Sequence, residues 1–114
     1  MAERVIERPV VIPTVPTDFA RVEALRQCLA YVRLLDVAKD DDFRSAFAAT
    51  QKILELSDQE IADAILVSRP TVNRWVGGKS LPHRLMRRPI VKWMIEALSA
   101  RIRFFETRQH RKVM

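Results

Sequence analysis

Residues 56–81 read LSDQEIADAILVSRPTVNRWVGGKSL, and this stretch decides the fold. Ser57-Asp58-Gln59-Glu60 is a capping box, in which the Ser57 hydroxyl accepts from the Glu60 backbone N–H while the Glu60 carboxylate reaches back to the Ser57 N–H. A short helix over about 58–66 follows, with Ile61, Ala62 and Ile65 on its inner side. A second cap signal arrives almost at once: Ser68 suits an N-cap and Pro70 the first turn of the next helix. That helix runs over about 69–76, turns Val72, Trp75 and Val76 inward, and stops at Gly77-Gly78. Two short helices therefore meet across a tight turn.

Working outward toward the N-terminus, the spacing Phe43, Ala46, Phe47, Thr50, Ile53, Leu54 predicts a helix preceded by Asp40, Asp41 and Asp42. Three consecutive carboxylates diverge too much to share a metal, whereas before a helix they serve its free N–H groups and dipole. Further back, Phe19, Val22, Leu25, Leu29, Val32 and Leu35 mark a helix from Thr17 or Asp18 to about Val37, an additional N-terminal element over 17–38. Residues 1–16 hold Pro9, Pro13 and Pro16 among Val5, Ile6, Val10, Val11, Ile12 and Val15, an extended apolar arm that is either flexible or packed on its own domain or on a partner. Toward the C-terminus, Lys79-Ser80-Leu81-Pro82 leads into one turn, and Pro89 suits the first position of a last helix with Ile90, Met94, Leu98, Ile102 and Phe105 on one stripe. No stretch alternates with period two, so the class is all-α, a bundle of five or six helices. The main domain spans 41–107, and a basic tail occupies 108–114.

The 114 residues carry a net charge of +6. Before Ser57 the balance is −1, and from Ser57 onward it is +7, so the whole basic excess is C-terminal. Such asymmetry suits a face held toward a polyanion, and also an ordinary solvated surface. Two adjacent glycines leave no phosphate-cradling loop, one cysteine makes no internal disulfide, and no apolar run is long enough to span a bilayer. Cys28 and the lack of a secretory h-region fit a cytoplasmic protein. His83 and His110 lie far apart without metal-ligand spacing, Cys28 reads as packing rather than a nucleophile, and Ser57 is already explained as a cap. The sequence predicts no enzyme, no metal and no cofactor.

The segment 56–81 resembles the helix-turn-helix of the Cro / lambda-repressor (XRE-type) family, with the motif at 57–77 and the likeness extending over roughly 43–98. Ala62 is small where the second helix approaches, Ile61, Ile65 and Val72 fill the space between helices, and Trp75 anchors the second helix from behind. The sequence departs at Leu66, where the family usually has Gly in a left-handed turn; Leu there implies a different turn or a strain of about 1 kcal/mol.

The resemblance implies a sequence-specific regulator of transcription, from a bacterium or a phage-like element, that binds double-stranded DNA with helix 69–76 in the major groove. It assigns base reading to Arg69, Pro70, Thr71, Asn73 and Arg74: arginine to guanine, asparagine to adenine, and proline by apolar contact alone. To the DNA backbone it assigns Ser57, Gln59, Ser68, Gly77, Gly78, Lys79 and Ser80, Gln59 alternatively bracing the second helix, with Arg84, Arg87 and Arg88 extending the basic edge. Arg101, Arg103, Arg108, Arg111 and Lys112 add non-specific contacts or stay solvated. One such module reads few base pairs, which implies a homodimer through residues 5–37, unless those residues cover the domain's own core. The competing reading is a protein-interaction adaptor, an antitoxin or a subunit recruited to RNA polymerase, a recombinase or a second regulator, that works through the arm and first helix. An architectural DNA binder of low specificity ranks third, disfavoured by polar Thr71 and Asn73 on the reading helix.

Overall fold

The structure is a computed structural model that describes the backbone of residues 18–113 and the side chains of residues 18–108. It contains five helices: α1 (Asp18–Arg33), α2 (Asp40–Leu54), α3 (Asp58–Ile65), α4 (Arg69–Val76) and α5 (Arg84–Val113). There is no strand among the described residues, and the class is all-α. The predicted arm over 1–16 lies outside the described residues.

Val22, Leu25, Leu29 and Val32 recur at helical spacing and bury one side of α1 against α5 and α2. The first helix therefore belongs to the main core instead of standing beside it. It ends at Arg33, short of the expected Val37. The Leu34 N–H is shared between the Ala30 and Tyr31 carbonyls and the Leu35 N–H turns to Val32, while the Asp36 carboxylate takes the Ala38 N–H at 3.0 Å. A carboxylate that offers the backbone a local turn competes with helix continuation. Phe19, expected on the buried stripe, is exposed, as is Leu34. Ion pairs of Asp18, at the start of α1, with Arg108 and of Arg26, at its middle, with Glu106 fasten α1 to the far half of α5.

Phe43, Ala46, Phe47, Thr50 and Leu54 line the inner side of α2. Phe47 is the hinge of the aromatic core: it stacks on Phe43 and meets Trp75 of α4 edge-on, each at 5.9 Å between centroids. Asp40, Asp41 and Asp42 sit inside the first turn, after Lys39, which occupies the N-cap position without a side-chain cap bond. Their role there is electrostatic, favourable with the helix dipole.

Helices α2 and α3 end alike. Glu55 at φ 55° and Leu66 at φ 63° adopt left-handed backbone, and the next residues, Leu56 and Val67, donate back to the Gln51 and Ala62 carbonyls at 3.1 and 3.0 Å. The closing bonds satisfy carbonyls at the helix end, with a side chain where glycine is the unstrained choice.

The last helix differs from expectation. Residues 84–88 and the stripe from Ile90 to Phe105 form one continuous helix with Pro89 inside it, and the backbone stays helical through Val113, across the predicted tail. Proline has a helical φ and lacks only the N–H that would bond four residues back. That partner is the carbonyl of Leu85, a residue 83% exposed, so water can take the acceptor. The start of α5 is closed by His83, whose Nδ1 accepts from the Leu85 N–H at 3.1 Å and whose carbonyl accepts from Met86 at 2.8 Å.

Leu66 is 89% exposed, so its side chain gives little packing in return for its backbone strain. Leu66→Gly should raise stability by about 1 kcal/mol less the entropy that glycine adds to the unfolded chain. Equilibrium urea unfolding checks this: a higher midpoint at unchanged slope is expected, and a lower midpoint would mean that the left-handed turn costs nothing.

Candidate functional site

Helices α3 and α4 are joined by Leu66, Val67 and Ser68 alone. The capping box forms as expected, with Glu60 N to Ser57 Oγ at 3.0 Å and Ser57 N to Glu60 Oε1 at 2.8 Å. Ser68 caps α4 by accepting from the Thr71 N–H at 3.2 Å. Ile61, Ala62 and Val72 are fully buried between the two helices, and Trp75 holds α4 from behind against Phe47. Because α4 has only eight residues, these contacts and the two caps hold it in place.

The opposite side of α4 is open. Arg69, Pro70, Asn73 and Arg74 are exposed and Thr71 is half-buried. Three of these polar groups are already oriented. The hydroxyls of Ser68 and Thr71 lie 2.7 Å apart, and an Arg74 Nη2 approaches Thr71 Oγ1 at 3.5 Å. Asn73 Nδ2 donates to Asp58 Oδ2 at 3.1 Å, and the other carboxylate oxygen of Asp58 accepts from Gln51 Nε2 at 2.7 Å. A chain of hydrogen bonds therefore runs from α2 through the first residue of α3 to α4. The Gln51 and Asn73 amides hold the Asp58 carboxyl below the usual carboxylate range, with the charge of Arg69 adding to them.

Bracing of α4 thus falls to Asp58 and Gln51, which the sequence reading left aside, while Gln59 is bonded along its own helix to Asp63 at 2.8 Å. Gln51 follows buried Thr50 directly, so helical periodicity gave no reason to point it at a capping segment.

After α4 the chain turns through Gly77 and Gly78, and only Gly78, at φ 76°, needs left-handed backbone. Lys79 and Ser80 fold back with their N–H groups on the Arg74 carbonyl at 2.9 and 3.4 Å, leaving both side chains exposed beside α4. Arg84 and Arg88 are also exposed.

Arg87 is placed differently from the expected basic edge. It is 4% exposed: Nε donates to the Pro82 carbonyl at 3.0 Å, Nη1 to the Val37 carbonyl at 2.9 Å and Nη2 to Asp40 Oδ1 at 2.9 Å, with the guanidinium 5.4 Å from the Phe43 ring centroid. All three donor positions face protein acceptors, so this guanidinium holds elements together instead of facing solvent. The signal was periodicity: Arg87 lies three and seven residues before Ile90 and Met94, in phase with the buried stripe once the helix is continued through Pro89.

Cys28 is half-buried, and burial pushes its thiol up from the usual range, which favours the unreactive protonated form. Among the described residues, no group of three His, Cys, Asp or Glu could hold a metal ion, and no helix is long and apolar enough to cross a membrane.

Two measurements check this arrangement. Arg87→Lys replaces a three-way fork by a single ammonium and should cost roughly 2–4 kcal/mol in urea unfolding, because buried carbonyls lose their donors; a change within 0.5 kcal/mol, about the scatter of surface substitutions, would refute the clamp. For Asp58 the folded-state carboxyl is the stronger acid, so its contribution is full above the unfolded value of about 4 and is lost as pH falls through the lower folded value. Asp58→Asn should therefore be destabilised at neutral pH and converge on the wild type in acid. A stability difference independent of pH would contradict the network.

No known protein family, no curated protein and no solved structure matches the chain.

Proposed function

We propose that the protein is a sequence-specific double-stranded DNA-binding regulator whose α3 and α4 act as a helix-turn-helix of the Cro / lambda-repressor type. One observation carries the reading: α4 is fixed through Val72 and Trp75 and presents Arg69, Pro70, Asn73 and Arg74 together on its free side. A helix held from behind with arginine and asparagine in front fits the major groove, where guanine O6 and N7 and adenine N6 and N7 are the matching partners. Lys79 and Ser80 follow immediately and suit the phosphate backbone, with Arg84 continuing the same basic edge.

In this reading Asp58 orients Asn73, whose remaining amide groups face the bases, and Thr71 steadies Arg74. Arg69 stands nearest the N-terminal end of α4, the end that enters the groove first. The protein acts as a homodimer on half-sites about one helical turn apart. The inner stripe of α1 is occupied by the protein's own core, which leaves the arm and the outer residues of α1 for the second copy.

Exposed Phe19, Tyr31 and Leu34 on and just after α1 favour a second reading. There the first helix and the arm form the working surface of an adaptor that binds a protein such as RNA polymerase, with DNA secondary.

Selection of bound duplexes from a random pool at about physiological salt tests both. A recovered palindrome is expected under the first reading, and enrichment of nothing would favour the adaptor. On the recovered site Arg74→Ala should relax preference at one base pair by about 1–3 kcal/mol, while Lys79→Ala should weaken all sequences alike and lower the salt slope by about one. Variants that bind every site like the wild type would place the interface elsewhere.

A further inference from the structure

Beside the C-terminal end of α4 lies a concavity of about 480 Å³ that no element of the sequence motif explains by itself. Three separate segments wall it: Asp40 and Arg44 from α2, Gly78 to His83 from the loop, and Arg84 and Arg87 from α5. We propose that this concavity is a phosphodiester-binding site of the DNA backbone in which Arg44 of α2 and His83 act together with Lys79 and Arg84. The inference rests on the DNA-binding reading above and extends its contact surface beyond the two short helices to α2.

The charge balance favours an anion. Arg87 is already neutralised by Asp40, and Arg44 shares its Nη1 with Asp41 at 3.0 Å. Lys79 and Arg84 face the same space, make no ion pair among the described residues and are both exposed, although Arg84 also lines the adjoining hollow with Asp40, Asp41 and Asp42.

The arginine of α2 is poised but incompletely satisfied. Its Nε is buried against the loop and has no acceptor, although a buried N–H without a partner is uncommon in folded proteins. It packs at ordinary contact distance beside the glycine: a Cβ added at Gly78 would lie 3.6 Å from Arg44 Nε and 3.9 Å from Arg44 Cδ, so the loop covers Nε while the side chain as a whole keeps 38% of its surface exposed. Asp41 is a weak competitor for that guanidinium, being 93% exposed and therefore strongly solvated.

His83 supplies a directed donor. Its Nδ1 accepts the Leu85 N–H, which leaves Nε2 as the ring's free N–H, and the residue is exposed beside Arg84. The four donors come from α2, the loop and the start of α5, so the site exists only when all three are packed. A phosphate seated there would tie α2, the loop that follows α4 and the start of α5 to one strand simultaneously.

The experiment uses the full chain and a duplex recovered by the selection, with wild type, Arg44→Gln, His83→Gln and Asp41→Asn. Arg44→Gln is expected to raise Kd about tenfold at 0.15 M salt, equally for all sequences, and to lower the slope of log K against log salt by about one. His83→Gln should raise Kd a few-fold. Asp41→Asn should lower Kd, because it frees the guanidinium; a purely structural Arg44–Asp41 pair would make both variants bind worse. In a second arm, phosphates of the duplex are replaced one at a time by neutral methylphosphonate. One position should weaken the wild type and leave Arg44→Gln unaffected. Coincident thermal midpoints of Arg44→Gln and wild type separate a lost contact from a lost fold. Unchanged Kd and slope for Arg44→Gln, or no position coupled to it, overturns the proposal while leaving DNA binding intact; a wild type that binds no duplex overturns the DNA reading itself.

Discussion

The buried Arg87 guanidinium ties the segments before α2 and before α5 to one another. Its three nitrogens join the Val37 carbonyl before α2, Asp40 at the start of α2, and the Pro82 carbonyl before α5. Buried cations are costly unless they are paired and hydrogen-bonded, and this one has an acceptor on each of its three nitrogens and lies against the Phe43 ring. The arrangement fixes the loop that leaves α4 relative to the helix against which α4 packs. Position is the result: the residues from Lys79 to Arg84 stand beside α4 because the segment behind them is tied to α2.

The same economy of fixation appears on the other side of α4. Asp58 is the first residue of α3 and bonds both Gln51 and Asn73, so one carboxylate relates three helices. The hydrophobic contacts of Ile61, Val72 and Trp75 are non-directional and set distance, whereas the Asp58 network sets rotation of α4 about its own axis. A short helix that presents side chains to a partner needs both, since a turn of one residue, 100°, would exchange Asn73 for the buried Val72 or for Arg74.

Local chemistry was legible in the sequence, and long-range pairing was not. The capping box at Ser57–Glu60, the Ser68 cap and the inward Val72 and Trp75 follow from spacing and residue type, and all are in the structure. The left-handed backbone at Leu66 was visible as a strained position because a glycine was missing from the pattern that the segment resembles. Glu55, which adopts the same conformation, carried no such marker. Arg87 was misplaced since charge argues for the surface, and only a helix continued through Pro89 puts it in phase with Ile90 and Met94. Arg44 and Asp58 escaped because their partners sit 34 and 15 residues away, at Gly78 and Asn73, where no periodicity connects them.

The packing of α1 on α5 joins the two ends of the described chain, with Arg26 on Glu106 and Asp18 on Arg108. During synthesis the apolar stripe of α1, from Val22 to Val32, has at most the partial cover of α2 until α5, its main packing partner, has emerged more than fifty residues later. At roughly 5–20 residues per second that is an interval of several seconds in which four apolar side chains are available to other molecules. Closure of so distant a pair adds loop entropy to the folding barrier, so the domain should form late and all at once, with a nascent-chain stage that chaperones can bind.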